Sequence, residues 1–205
     1  TAETRLVHPT HAKSIHEFRA LNPDLSFHVY DKDKRDQYMA EHWSHHDIYN
    51  IYQRAIFGQM KADIFRYCII YDNGGYYIDY NKGATTPLTQ LHEPQTSAWL
   101  ILTDDVASIC PSTALLQLNP GTVNFFAHDY FGFSPGHPAV EAVIQEIVNN
   151  SPFFDGKKCW SAHRAVHTLT GGGAFTEAVR PLLRRQKPAA MQFQLTAASE
   201  LFQRL

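Results

Sequence analysis

Apolar side chains recur at helical spacing along most of this chain and give way to short strand-like runs at a few places. Thr10 to Ala20 carries Ile15 and Phe18 on one side with no breaker, which predicts a helix. Asn22-Pro23-Asp24 stops it, because proline disfavours helix in the residue before it. Leu25 to Tyr30 alternates (L-S-F-H-V-Y) and predicts a short strand ending at Asp31. The charged cluster from Asp31 to Asp36 reads as a solvated turn or a helix start. Ile48, Ile51, Tyr52, Ala55 and Ile56 then return to i, i+3, i+4 spacing, so a helix begins at Asp47. The next helix covers Gln59 to Asp72, with Ala62, Phe65, Ile69 and either Cys68 or Tyr71 as its buried side. Asn73-Gly74-Gly75 closes it, where glycine takes a positive φ at least cost.

Tyr76 to Asp79 predicts a strand, and Thr86-Pro87-Leu88 an extended exit from it. Ala98 to Leu102 is a fully apolar strand, and Val123 to Phe133 an aromatic one that ends in S-P-G-H-P. His137 to Asn150 is an amphipathic helix with Val140, Val143, Ile144 and Ile147 facing inward; His137 starts that helix rather than binding a ligand. Trp160 to Leu169 and Ala174 to Arg185 are the last helices, separated by Gly171-Gly172-Gly173. Short apolar strands alternating with helices predict an α/β layered fold with a largely parallel central sheet. Ligands of such sheets bind at the carboxyl ends of the strands, and Asp79 falls at one.

Size and charge narrow the choice of function. The 205 residues make one domain, or one with a small appendage. A net charge of −2 gives no electrostatic case for nucleic acid or an acidic membrane. Cys68, Cys110 and Cys159 are widely spaced, without a C-x-x-C pair, which argues against a zinc site or a disulfide framework. Cys68 reads as buried rather than reactive. His42, His45 and His46 cluster without an acid or cysteine to complete a metal set and read as polar surface. No run is apolar enough for a membrane span, no signal peptide is visible, and there is no G-x-S-x-G, Walker A or G-x-G-x-x-G loop.

The chemistry concentrates between Lys61 and Asn81. Asp79 and Asn81 stand at i, i+2 where a strand ends; past that end two oxygen ligands can converge on a hard divalent cation bridging two phosphates. The same pattern is also a common turn composition. Asp63 and Arg66 stand at i, i+3 on a helix. They can form an ion pair on a solvated face, or pair inside a cleft and hold sugar hydroxyls and phosphate oxygens. The glycine run at 171–173 is either a plain loop or a helix start whose amides meet an anion.

Taken together, these residues resemble the DXD-containing glycosyltransferase sugar-binding family, of the capsular polysaccharide and mannosyltransferase type, whose catalytic core the clostridial glucosylating toxins share. The family's hallmark is A-x-x-S/A-D-x-x-R, a short spacer, then G-G-x-Y-x-D-x-D. Here it stands as Ala62-Asp63-Ile64-Phe65-Arg66, then Gly74-Gly75-Tyr76-Tyr77-Ile78-Asp79-Tyr80-Asn81. Asn22-Pro23 with Asp31, the Ser134-Pro135-Gly136-His137-Pro138 segment and Thr170-Gly171 match outlying pieces in the same order. The resemblance implies a single GT-A (Rossmann-like) domain over residues 1–205, with helices flanking a mostly parallel sheet. It implies a metal-dependent, retaining hexosyltransferase using Mn²⁺ or Mg²⁺. The donor is a nucleotide-sugar, UDP-sugar favoured over GDP-sugar, and the acceptor a glycan, glycolipid or protein.

By position, Asp63, Arg66 and Asp79 would be catalytic. Ala62, Gly75, Tyr77 and Tyr80 would join them around the donor, and Asp79 with Asn81 would hold the metal. His128, Asp129 and Gly171 are candidates for acceptor or sugar contact, and acceptor loops are expected at Leu88 to Thr96 and Asp105 to Thr122. The sequence departs from the family at Asn81, which replaces the second acid of the motif, and at Gly172, where proline is usual. The family's opening strand is not visible before Thr4. A cytoplasmic, membrane-peripheral protein is the first expectation, with the Golgi lumen and delivery into a host cell left open. A decayed transferase that only binds nucleotide-sugar or glycan is the competing reading, and a structural module without nucleotide a third.

Overall fold

A computed structural model describes residues 9–80, 82, 85–93, 95–103, 125–156, 158, 161–184 and 192–197. The elements in chain order are α1 (Pro9–Leu21), α2 (Lys32–Trp43), α3 (Asp47–Arg54), α4 (Gly58–Asn73) and β1 (Gly75–Ile78). A short α5 (Leu88–Leu91), β2 (Ala98–Thr103), β3 (Phe125–Phe133), α6 (Pro138–Phe154), α7 (Ala162–Leu169), α8 (Gly172–Arg184) and β4 (Phe193–Ala197) follow. The strands form one sheet in the order β1-β3-β2-β4.

The expected α/β layering holds, but the expectation of a mostly parallel sheet needs correction. Among the described residues, β1 and β2 each pair with β3 antiparallel, and only β2 with β4 is parallel. Three strands therefore share a direction while β3 runs against them. Because β3 lies between β1 and β2, one reversed strand turns two ladders antiparallel. Alternation of helix and strand along a sequence reports crossovers, not which strand is inserted between which, so it could not show this.

The sheet separates two apolar layers by its period of two. On β2, Ala98 and Leu100 join the main core while Trp99 and Ile101 face a second cluster with Phe18 and Leu88. On β3, Phe131 and Phe133 face the main core and Tyr130 the other side. The main core is filled by α4, α6 and α8. Val140, Val143, Ile144 and Ile147 of α6 are buried there, as their spacing predicts. Rings of Tyr67, Phe131 and Phe175 stack with centroids 5.2 to 6.1 Å apart, tying α4 to β3 and α8.

Three further expectations change. Leu25 to Tyr30 is not a strand: Ser26 to Tyr30 runs without a ladder. Its alternation still works, since Leu25 and Phe27 pack on the second cluster. A strand also needs a partner edge, and a cavity of about 470 Å³ separates this segment from β1. Leu88, expected in an extended exit, instead starts the α5 turn, its N–H donated to Asn22 Oδ1 at 2.7 Å. α4 has no exposed side over most of its length: Asp63 through Ile70 are all buried, while Ala62 and Tyr71 are only half-buried. Its end follows expectation, with Gly74 at φ 67° and a would-be Cβ 2.6 Å from Pro135 Cδ.

Candidate functional site

A helix buried all round must bury whatever polar groups it carries, and α4 carries two opposite charges. Asp63 and Arg66 lie one turn apart on the same side. Arg66 Nη2 is 3.0 Å from Asp63 Oδ1, with the side chains 4% and 0% exposed respectively. The solvated-face alternative for this pair is thereby excluded. Burial of an unpaired ion is costly, so each charge depends on its surroundings. Thr170 Oγ1, in the turn between α7 and α8, donates to Asp63 Oδ2 at 2.9 Å. The carbonyl of Thr170 in turn accepts from Tyr67 Oη at 2.9 Å. Burial pushes the Asp63 carboxyl up to about 6; Arg66 and the Thr170 hydroxyl pull the other way.

Arg66 reaches out of α4 to the sheet. Its Nη1 donates to the His128 carbonyl of β3 at 2.6 Å, its Nη2 lies 3.3 Å from Asp79 Oδ1, and its guanidinium covers the Tyr77 ring at 4.5 Å. Asp79 follows the last residue of β1, and its N–H donates to the Asp129 carbonyl of β3 at 3.0 Å. Tyr77 Oη donates to Asp79 Oδ1 at 2.9 Å. The end of β1 thus meets the middle of β3, and Arg66 bridges both to the helix.

Asp79 keeps 28% of its side chain exposed, so the buried pair opens to solvent through it. His128 and Asp129 border the same opening with side chains 22% and 24% exposed. His128 Nε2 is 3.7 Å from Asp63 Oδ1. Burial, helped by the Arg66 charge, drives the His128 imidazole well below the usual histidine range, so this ring is neutral at pH 7. Lys82 Nζ pairs with Asp129 Oδ2 at 3.2 Å. Gly75, Tyr77, Asp79, Tyr80 and Lys82 lie along the cavity of about 470 Å³ beside β1.

Of the residues singled out from sequence, Asp63, Arg66, Tyr77, Asp79, His128 and Asp129 come together. Gly75 and Tyr80 share the neighbouring cavity. Ala62 is half-buried on α4, next to Asp63 in the chain. Gly171 is buried in the α7–α8 turn, its N–H donated to the Val166 carbonyl at 2.9 Å. Asn81 and the stretch from Asp105 to Thr122 lie outside the described residues, as does Pro94 of the first expected acceptor loop. Thr170 was matched only as part of a turn; its hydroxyl on Asp63 is new. His167, also absent from the sequence reading, packs against that turn.

Among the described residues, no three His, Cys, Asp or Glu side chains gather as a metal site. Asp79 fits a hard cation as one oxygen donor of a cation that keeps waters and phosphate oxygens. Both side-chain contacts of its carboxylate described above use Oδ1, leaving Oδ2 for such a role. One further group is unsatisfied: Arg66 Nε is buried without a hydrogen-bond partner among the described residues. Buried guanidinium donors are rarely left so, and this one calls for an oxygen that the described residues do not supply.

Residues 9–99 match the family model described as glycosyltransferase sugar-binding region containing DXD motif. The chain is 24% identical over 152 residues to inositol phosphoceramide mannosyltransferase 2 of Schizosaccharomyces pombe, covering 74% of this chain and 36% of that protein. It superposes on PaToxG glycosyltransferase with a TM-score of 0.62 at 12% identity, over 88% of this chain and 66% of that one. At that identity the likeness establishes the fold, which is of the GT-A type. Among the described residues, no helix is long and apolar enough to cross a membrane.

Proposed function

We propose, from the match of residues 9–99 to the DXD-containing glycosyltransferase sugar-binding region, that this protein moves a hexosyl unit from a nucleoside-diphosphate sugar to an acceptor hydroxyl. The observation that carries the reading is Arg66. It is a buried cation whose Nε has no hydrogen-bond partner among the described residues, set between a buried carboxylate and a partly exposed one at the edge of a cavity. Such a group is shaped to receive the oxygens of a phosphorylated sugar.

The chain's residues divide the work. Asp63 and Thr170 fix the guanidinium; Arg66 offers its free N–H to the leaving phosphate or sugar oxygen. Asp79 and, by sequence, Asn81 would hold Mn²⁺ or Mg²⁺. Such a cation, when bound, neutralises charge gathering on the leaving diphosphate. The bond from the anomeric carbon to the phosphate oxygen breaks, and the acceptor oxygen bonds to that carbon from the same face. The acceptor proton passes to the departing diphosphate, so configuration is retained. Asp63 is fully buried and paired, which makes it unsuited to attack the anomeric carbon as a nucleophile. Fixed charge around the departing group is the source of rate in this scheme.

The relative's name makes a mannosyl donor and a glycolipid acceptor the first pair to try. The protein, incubated with Mn²⁺ and a panel of UDP- and GDP-sugars, should release nucleoside diphosphate from one donor class. Asn81, with one acid fewer than the family motif, favours a second reading in which the domain binds donor without turnover. Calorimetric binding without nucleoside diphosphate release selects that reading; neither binding nor release rejects both.

A further inference from the structure

His167 has no part in the scheme above, yet it is one of the few buried polar side chains next to the site. It sits on α7 one turn before Thr170 and is 8% exposed. Its Nδ1 has no hydrogen-bond partner among the described residues. One neighbour is the His128 ring, met edge-on at 6.5 Å between centroids; the other is His163, stacked at 6.4 Å.

Gly172, the first residue of α8, separates the two inner imidazoles. A Cβ there would stand 3.1 Å from His128 Nδ1 and 3.3 Å from His167 Nε2. The backbone at 172 is helical and tolerates any residue, so it is room rather than conformation that calls for glycine. Gly173 differs: its Cβ would meet the backbone oxygen of His167 at 2.9 Å, a collision with fixed chain.

The two rings beside Gly172 cannot yield equally. His167 is enclosed, whereas His128 keeps 22% of its side chain exposed at the opening. An added carbon at 172 therefore moves His128. The room for that movement lies at the opening that His128 borders with Asp79 and Asp129, since on its other side Asp63 Oδ1, 3.7 Å from His128 Nε2, is enclosed. The resemblance in sequence makes His128 and Asp129, at that opening, candidates for sugar contact.

We propose that Gly172 and His167 together set the position of His128, so that the residue at 172 determines the size of donor sugar the site accepts. Gly172 is then a specificity-determining residue and His167 a positioning residue acting through His128. The proposal rests on the glycosyl-transfer reading.

The test compares wild type, Gly172→Ala and His167→Ala, using the nucleotide-sugar that wild type turns over and the free nucleoside diphosphate as inhibitor. Gly172→Ala should raise the donor KM about tenfold with kcat changed by less than about threefold. Inhibition by free nucleoside diphosphate should not change, because Arg66 and Asp79 hold the diphosphate and Arg66 is fixed by the His128 carbonyl, whereas the added methyl displaces the His128 ring. Adding His167→Ala to Gly172→Ala empties the far side of residue 172, lets the added methyl settle away from His128 and should restore most of the lost KM. An unchanged KM in Gly172→Ala overturns the proposal. So does an equal loss of affinity for nucleoside diphosphate, which would mark a general structural defect. Should Gly172→Ala fail to fold, His167→Ala alone decides: it keeps the glycine and removes the backing ring, and a wild-type donor KM contradicts the proposal. A wild type inert toward every donor overturns the parent reading as well, whereas an active wild type with indifferent variants overturns only this one.

Discussion

Arg66 Nη2 stands 3.3 Å from Asp79 Oδ1, joining the middle of α4 to the end of β1. The same nitrogen stands 3.0 Å from Asp63 Oδ1. One buried cation thus serves two carboxylates, and removing it leaves Asp63 enclosed without a counter-charge. Arg66→Ala should lower stability by about 3–5 kcal/mol in urea unfolding at pH 7. Adding Asp63→Asn should return a large part of that loss while leaving the enzyme inactive. A single variant as stable as wild type would show that the pair is not buried as described.

Thr170 gives a smaller, cleaner test. Thr170→Val keeps shape and removes the hydroxyl donated to Asp63 Oδ2. The expected loss is about 1–3 kcal/mol of stability, with a fall in turnover as Asp63 loosens. Thr170→Ser, which keeps the donor, should recover both. A serine variant as impaired as valine would assign the effect to the methyl group instead.

His137 sets a pH dependence. Its Nδ1 accepts the Ala139 N–H at 3.1 Å and caps α6, a role that only an unprotonated nitrogen can fill. Burial lowers this imidazole to about 4 from its ordinary 6.5. The unfolded chain then takes up a proton before the folded one does. Its stabilising contribution is complete above pH 6.5 and is lost as pH falls from there toward 4. His137→Asn keeps a capping oxygen at all pH values. Thermal midpoints of wild type should fall more steeply than those of the variant across this window; parallel curves would refute the assignment.

Gly74→Ala places a methyl group where φ is 67° and Pro135 Cδ is 2.6 Å away. Strain and collision with proline, which cannot rotate aside, should cost about 2 kcal/mol or more, read as a lowered urea midpoint. Gly75→Ala, at φ 90° but with open space around the Cβ, isolates the strain from the collision and should cost less.

How much of this was legible beforehand depends on range. Caps and helix limits were readable because they are local: Gly74 and His137 cap α4 and α6 through residues at most four positions away. Tyr76 to Asp79 was recognisable as a strand ending on a carboxylate. The burial of α4 on all sides was not, since Asp63 and Arg66 mark an outer face under any rule that treats charge as surface. Only their family pattern pointed inward. Thr170 on Asp63 spans 107 residues, and β3 enters between strands that precede it, so neither could follow from spacing. Leu25 to Tyr30 had the right alternation for a strand and no partner edge, a fact held by the rest of the molecule.

The central claim is that Asp79 and the Arg66 it touches grip the diphosphate of a sugar donor. Nucleoside diphosphate release from the preferred nucleotide-sugar, followed with and without Mn²⁺ in wild type and Asp79→Ala, tests it most directly. Release that needs Mn²⁺ in wild type and falls at least about a hundredfold in a folded Asp79→Ala is the expected result. Equal, metal-indifferent release by both proteins would contradict the account.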